Sequence, residues 1–149
     1  MSINIAETFE LLFDKNNNTA YKALQELQKE SEKTDCVYPY MDRLINMLDS
    51  DNSYIRTRGL TLLAYNAKWD EDYKIDEIID KHLKHITDVK PITARQCIKL
   101  LPVIVKYKPE LKNDILYALY KANVSVYDDS MQPLVYKDIQ KVLKEIQKL

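Results

Sequence analysis

The chain has 149 residues, of which 46% are hydrophobic and 30% are charged, and its formal net charge is −1. A chain of this length can bury one ordinary hydrophobic core, and its composition is that of neither a disordered nor a membrane protein. The near-neutral charge supplies no overall field that would attract nucleic acid or an acidic membrane surface. We therefore expect a single domain over residues 1–149 with no membrane association.

Glycine and cysteine are both scarce. Gly59 is the single glycine, whereas a fold with many tight turns requires several, so helices joined by short polar turns are expected. The first residues carry acids where a signal peptide requires basic ones. Cys36 and Cys97 lie far apart in the sequence. We interpret them as free thiols of a reducing compartment and expect a cytoplasmic protein.

Apolar residues recur at helical spacing along most of the chain and predict eight helices. The first two carry stripes that begin at Ile5 and at Tyr21, and they form an N-terminal helix pair within residues 1–35. The third has Pro39 near its start and ends in the turn-forming stretch DSDNS. The fourth is predicted over about 53–67.

The second half of the chain continues the same pattern. The fifth stripe begins at Ile75, and the sixth helix begins near Pro91 and contains Pro102, which is expected to kink it. The seventh helix is predicted to begin at Pro109, and the last carries a stripe that begins at Val135. The short stretch VSVY between these two helices is predicted to be a loop.

The helices repeat. An offset of 37 residues relates four pairs of positions: Asp51 and Asp88, Ile55 and Ile92, Arg58 and Arg95, and Leu60 and Cys97. An offset of 41 residues aligns the sixth helix with the last, since Ala94 and Ile98 then fall on Val135 and Ile139. Three repeat units are predicted, over 37–68, 73–107 and 109–148. Because one such unit cannot bury its apolar stripe alone, the units are expected to stack.

The stretch LINMLDSDNSYIRTRGLTLL resembles a HEAT repeat. The matching residues are Leu48, Asp49 or Asp51, Ile55, Arg56 and Gly59. The second unit has Thr93 in place of the motif arginine, and the third has Tyr136. The resemblance covers about 37–148. It implies an all-α, right-handed α-α superhelix of the HEAT and armadillo type, with about three helix-pair repeats after the N-terminal pair.

The resemblance also implies roles for charged residues. In such folds a turn acid and an arginine of the second helix pair across neighbouring repeats, which gives Asp51, Arg56 and Asp88 a structural role. By the same resemblance, Arg56 and Arg58 are expected to bind Asp51, Asp88 or helix-end carbonyls and so to set the stacking of the repeats. The second helices line the concave face, where a partner would bind. The residues expected there, from their shared repeat positions, are Arg58, Tyr65, Arg95, Lys99, Lys106 and Tyr136. The predicted function is therefore a non-catalytic adaptor or scaffold that binds another protein.

Two alternatives remain open from the sequence. Some DNA glycosylases that remove alkylated bases have HEAT-like folds, and Trp69 and Asp70 are the residues that would act in such an enzyme. The acidic balance argues against this alternative, because duplex binding requires several phosphate-neutralising cations on one face. The other alternative is self-association through the exposed first and last helices.

No constellation in the sequence predicts catalysis. His82 and His85 lie three residues apart on a helix, but zinc requires a third or fourth donor, so surface histidines are expected and no metal site. Neither cysteine has a histidine nearby in the sequence, and a phosphate-binding glycine loop is absent. We therefore predict no catalytic residue and no cofactor.

Overall fold

The protein is described here by a computed structural model, which covers residues 3–149. This part of the chain is all α-helical, with nine helices and no strand. The helices are α1 Ile5–Glu10, α2 Asn17–Lys33, α3 Met41–Met47, α4 Ser53–Tyr65, α5 Lys74–Glu77, α6 Ile79–Leu83, α7 Pro91–Tyr107, α8 Lys112–Lys121 and α9 Gln132–Gln147. Short 3₁₀ segments cover Leu11–Phe13, Tyr38–Tyr40, Ala67–Trp69, Lys84–Thr87, Pro109–Leu111 and Val124–Val126.

Three of these helices have an asparagine at the N-cap position. Asn4, Asn16 and Asn52 are the N-cap residues of α1, α2 and α4, and each side chain accepts a hydrogen bond from a backbone N–H of the first turn. Such caps satisfy donors that have no partner inside the helix. Helix α7 begins instead with Pro91, whose fixed backbone angle suits the first helical position.

The structure differs from the sequence prediction in two segments. The predicted fifth helix is divided into α5, α6 and the 3₁₀ segment Lys84–Thr87, because Ile78 leaves the helical conformation at φ −111° and ψ 17°. The stretch VSVY contains the 3₁₀ turn Val124–Val126 in place of an open loop. Helix α7 continues through Pro102 to Tyr107.

The second helix of each pair packs on the second helix of the next. Contacts run from α2 to α4, from α4 to α7 and from α7 to α9, and they form one continuous layer. Helices α1, α3 and α8 each pack against the following helix, and the 3₁₀ segment Lys84–Thr87 packs against α7. The buried apolar residues of both layers form a single core from Phe9 to Ile146. This arrangement is an all-α solenoid.

Helix α4 lies at the centre and is buried along most of its length. It packs against α2, α3 and α7, and every residue from Gly59 to Ala64 is buried. Gly59 permits the contact with α3, because a Cβ atom added there would lie 2.9 Å from Met47 Cβ and 3.1 Å from the Leu44 carbonyl oxygen.

Ion pairs connect consecutive helix pairs. Arg56 binds Asp88, which lies 32 residues further along the chain, and Arg95 binds Asp138 over 43 residues. Exposed pairs do the same in the other layer; they are Glu10 with Arg43, Asp42 with Lys74, and Asp49 with Lys81. Each separation is close to one helix pair, so these contacts fix the position of one pair on the next.

Candidate functional site

A groove of about 1120 Å³ runs across the layer formed by α2, α4 and α7. Its residues come from the full length of α2, from α4 as far as Thr61, and from the start of α7. They are Asn17, Asn18, Tyr21, Leu24, Gln25, Gln28, Lys29 and Glu32; Ser53, Tyr54, Thr57, Arg58 and Thr61; and Lys90, Pro91, Ile92, Thr93 and Gln96. A cleft of this size fits a peptide segment or a small molecule.

Large apolar side chains stand exposed on all three helices of the groove. Tyr21 is 57% exposed, Tyr54 58% and Ile92 76%. Isolated exposed apolar residues are common, but these three line one cleft. Tyrosine is also enriched where proteins bind each other, because its ring buries a large area and its hydroxyl can form a hydrogen bond.

Arg58 lies in the groove and is almost completely buried, with 6% of its surface exposed. Its Nη1 donates to the Leu12 carbonyl at 2.8 Å and its Nη2 donates to Asn17 Oδ1 at 3.2 Å. The guanidinium carbon also lies 5.8 Å from the ring centre of Tyr54. Burial lowers the pKa of Arg58. The side chain thus fastens α4 to the N-terminal pair through uncharged partners.

Arg58 differs in this respect from the other three arginines. Arg43, Arg56 and Arg95 each bind a carboxylate, whereas no Asp or Glu of residues 3–149 forms an ion pair with Arg58. A buried charge without a counter-ion is costly. The groove therefore contains a cation whose charge the protein itself leaves uncompensated.

The sequence predicted six residues for partner binding, and the structure does not bring them into one site. Only Arg58 lines the groove. Lys99, Lys106 and Tyr136 are exposed, and Tyr65 is partly buried. Arg95 donates from Nε to Asp138 Oδ2 at 2.6 Å, so its charge is compensated. A role in binding for the five residues outside the groove stays a prediction.

Arg56 and Asp88 form a buried ion pair between α4 and the turn before α7. Arg56 Nε and Nη2 donate to the two oxygens of Asp88 at 3.0 and 2.8 Å, and Nη1 donates to the carbonyls of Ser50 and Asp51. Burial alone would raise the pKa of Asp88, but hydrogen bonds with His85 and Arg56 hold it well below its usual range. Asp51 takes part through its backbone carbonyl.

Trp69 and Asp70 are engaged in contacts between helices. Trp69 Nε1 donates to the Ser31 carbonyl at 2.7 Å. Asp70 Oδ1 accepts from the Tyr38 hydroxyl at 2.6 Å, and Oδ2 accepts from the Ile75 N–H and lies 3.2 Å from Lys108 Nζ. Both oxygens of this buried carboxylate have partners, so the contacts of Asp70 are those of a residue that joins helices.

The prediction that both histidines lie at the surface is wrong for His82. Its side chain is completely buried, and neither ring nitrogen has a hydrogen-bond partner. The reason is its position, since His82 lies at helical spacing between the buried residues Ile79 and Ile86, and its carbonyl lies 3.8 Å from Cys97 Sγ of α7. His85 is partly buried, with Nδ1 2.6 Å from Asp88 Oδ2. The two imidazole rings therefore lie in different environments, since only that of His85 has a hydrogen-bond partner.

Sequence reasoning missed the contribution of α2 to the groove. The repeat alignment began at residue 37, so the exposed face of α2 had no equivalent from which a role could be transferred. The available signal was the stripe itself, since Tyr21, Gln25, Gln28 and Lys29 lie at helical spacing on the face beside the core residues. The groove lies on the N-terminal pair and on the two pairs that follow it.

Residues 3–149 contain neither a cluster of metal ligands nor a helix that could span a membrane. No group of three or more His, Cys, Asp and Glu side chains in this range is placed to hold a metal ion. No helix in this range combines the length and the apolar character that crossing a bilayer requires.

Comparison with known proteins supports the relationship that the repeats suggest. A family model described as a HEAT repeat domain matches residues 2–146, which is nearly the whole chain. Comparison with curated proteins and with solved structures gives no match. The family match includes the N-terminal pair, which the repeat motif in the sequence had left outside. The chain therefore belongs to the HEAT repeat family.

Proposed function

We propose that this protein is a binding module that holds a partner protein in the groove between α2, α4 and α7, without catalysing a reaction. HEAT repeats commonly mediate interactions between proteins, which is the general role that membership of the family supports. The observation that carries the proposal is the convergence of exposed Tyr21, Tyr54 and Ile92 on one large groove.

The polar residues of the groove fit the same function. Gln25, Gln28 and Gln96 line it, and none of the three side chains forms a hydrogen bond with another residue of 3–149. A glutamine amide can both donate and accept, so it can pair with the N–H and C=O groups of a bound polypeptide backbone. Apolar anchors surrounded by such groups are typical of protein interfaces.

Site-specific photo-crosslinking tests the proposal. A benzophenone amino acid would replace Gln25 on α2 or Gln96 on α7, and the matched control would replace Gln140, which is exposed on α9 outside the groove. After irradiation in extracts of the source cells, we expect the same protein adduct from positions 25 and 96 and none from position 140. An adduct from position 140 alone would place the binding surface elsewhere.

A further inference from the structure

We infer that the groove takes an extended acidic peptide segment of the partner protein, with one carboxylate of the peptide bound by Arg58. This inference rests on the proposed function, because it names the chemistry of the ligand that the same groove would hold. Four features carry it: the sign of the charges along the groove, the state of Arg58, the helix N-termini that line the groove, and the mixture of aromatic and amide groups around it.

Positive charge exceeds negative charge in the groove, although the chain as a whole has a net charge of −1. Lys29, Arg58 and Lys90 line the groove, and Glu32 is the single carboxylate among its lining residues. Lys29 and Lys90 are exposed, and neither forms an ion pair within residues 3–149. A ligand with complementary negative charge would therefore be drawn to this face in preference to the rest of the surface.

Arg58 supplies a fixed cation in this field. Two hydrogen bonds, to the Leu12 carbonyl and to Asn17 Oδ1, hold its guanidinium in place, and its five N–H donors exceed these two acceptors. A guanidinium that is already ordered and partly desolvated loses little conformational freedom when it binds a carboxylate. An incoming carboxylate would also provide the counter-ion that Arg58 lacks.

The helix ends add to the positive potential. The first residues of α2, α4 and α7 all line the groove, and the N-terminus of a helix carries partial positive charge. Asn16 and Asn52 cap α2 and α4, but Lys90 at the start of α7 provides no side-chain acceptor. The first turn of α7 therefore receives no side-chain acceptor from its own cap residue.

The remaining lining residues favour a peptide over a nucleic acid. Glutamine amides suit the backbone of an extended chain, and Tyr21, Tyr54 and Ile92 suit an apolar side chain next to an acidic one. Nucleic-acid binding depends on several phosphate contacts, and this groove offers three cations, one of them buried, beside Glu32. The lining residues therefore fit an acidic peptide better than a nucleic acid, and the experiment below distinguishes the two ligands.

The test begins with a displayed library of random 12-residue peptides selected on the intact protein. We expect the selected sequences to be enriched in Asp and Glu next to an aromatic or aliphatic residue. Fluorescence anisotropy of a selected peptide then gives Kd for the wild type and for three variants. They are Arg58→Gln, the double variant Lys29→Glu with Lys90→Glu, and the matched control Lys141→Glu, whose lysine is exposed on α9 away from the groove.

The expected changes follow from the burial of each cation. Loss of the buried Arg58 should weaken binding at least about 30-fold. Reversal of the two exposed lysines should weaken it about 10-fold, and the effect should diminish at higher salt. Lys141→Glu should change Kd by less than about 2-fold. Circular dichroism checks that each variant is folded, and if Arg58→Gln is not, the lysine double variant decides the result.

The outcomes separate this inference from the proposed function. Selected peptides without an excess of Asp and Glu, or no selected peptide at all, would overturn the acidic-peptide inference. The proposed function would still stand if positions 25 and 96 crosslink a protein. Binding of a labelled 20-nucleotide DNA, weakened by the lysine double variant and without any selected peptide, would overturn the inference in favour of nucleic acid.

Discussion

At the scale of single residues, the polar groups inside this protein differ in how completely their neighbours satisfy their hydrogen bonds or balance their charge. Arg56, Asp70 and Lys108 are surrounded by opposite charges or hydrogen bonds, as buried polar groups usually are. His82 is completely buried with both ring nitrogens unpaired, and Arg58 has no carboxylate partner. These two residues determine where the molecule should respond to acid and to an acidic ligand.

His82 should make the protein sensitive to mild acid. Burial, with a smaller effect from His85, lowers the pKa of His82 from 6.5 to about 3 in the folded protein. Between these values the unfolded state binds the extra proton, so the free energy of unfolding decreases as the pH falls below 6.5. His82 should contribute up to about 1.4 kcal/mol per pH unit to this change in the free energy of unfolding.

The variant His82→Leu tests this expectation, because leucine fills the site and does not titrate. Urea unfolding at pH 6.5, 5.5 and 4.5 should show a shallower loss of stability in the variant than in the wild type. The carboxylates Asp70 and Asp88 have lowered pKa values, so their contribution is lost at lower pH than this window. Equal slopes for both proteins would mean that His82 is accessible to protons in the folded state.

Asp88 should be among the residues whose loss the fold tolerates least. The variant Asp88→Ala leaves Arg56 as a buried cation without its carboxylate, and we expect the free energy of unfolding to decrease by about 3–5 kcal/mol. Replacing both partners, as in Arg56→Met with Asp88→Leu, should cost less than Asp88→Ala alone, because no charge remains unpaired. Chemical denaturation of the three proteins provides the comparison, and a double variant less stable than Asp88→Ala would refute it.

At the scale of helices, the sequence predicts elements better than surfaces. Long helices with a regular apolar stripe, such as α7 and α9, were predicted because one face must be buried. The division of the predicted fifth helix at Ile78 was not predicted. The apolar residues keep their helical spacing across this position, although the backbone leaves the helical conformation there. Of the residues that line the groove, the sequence predicted only Arg58 as a binding residue. The others could not be predicted, because the position of α2 beside α4 depends on packing between segments that are distant in the sequence.

The contact between α3 and α4 should depend on the absence of a side chain at Gly59. In an exposed helix, alanine is favoured over glycine by about 0.5–1 kcal/mol. Here the added Cβ would lie 2.9 Å from Met47 Cβ and 3.1 Å from the Leu44 carbonyl oxygen, and neither atom can rotate away. We expect Gly59→Ala to lower the free energy of unfolding by about 1–3 kcal/mol.

Thermal unfolding of Gly59→Ala beside the control Gln140→Ala measures this effect. Gln140 is exposed in the middle of α9, so its replacement should change stability by less than about 0.5 kcal/mol. If Gly59→Ala were as stable as the wild type, α3 and α4 would have to be able to move apart without loss of packing.

At the scale of the whole molecule, contacts between consecutive helix pairs hold the solenoid together. Lys108, which directly follows α7, is 2% exposed, and its Nζ lies 2.7 Å from Asp76 Oδ1 on α5 and 3.1 Å from the Asp70 carbonyl in the turn between α4 and α5. Lys81 and Asp49 form a comparable link on the surface. The Lys108 contacts join the end of one helix pair to its own first helix and to the turn before it, whereas Lys81 and Asp49 join two consecutive pairs, and the two links differ in burial.

This difference should appear in stability. Lys108→Met keeps the length of the side chain but leaves the buried Asp70 without its cation, and we expect a loss of about 3–5 kcal/mol. Lys81→Met removes a solvent-exposed pair and should cost less than about 1 kcal/mol. Denaturant titrations of both variants make the measurement, and similar losses from the two would show that burial does not set the strength of these links.

The ion pairs between consecutive helix pairs also have a direction. Among the exposed pairs of α1, α3, α5 and α6, the acid comes first in the chain and the base belongs to the next helix pair. In the layer of α4, α7 and α9 the order is reversed, since Arg56 and Arg95 precede Asp88 and Asp138. Because the two orders are opposite, exchanging the acid and the base of any one of these five pairs would set its charges against the order of the other pairs in the same layer.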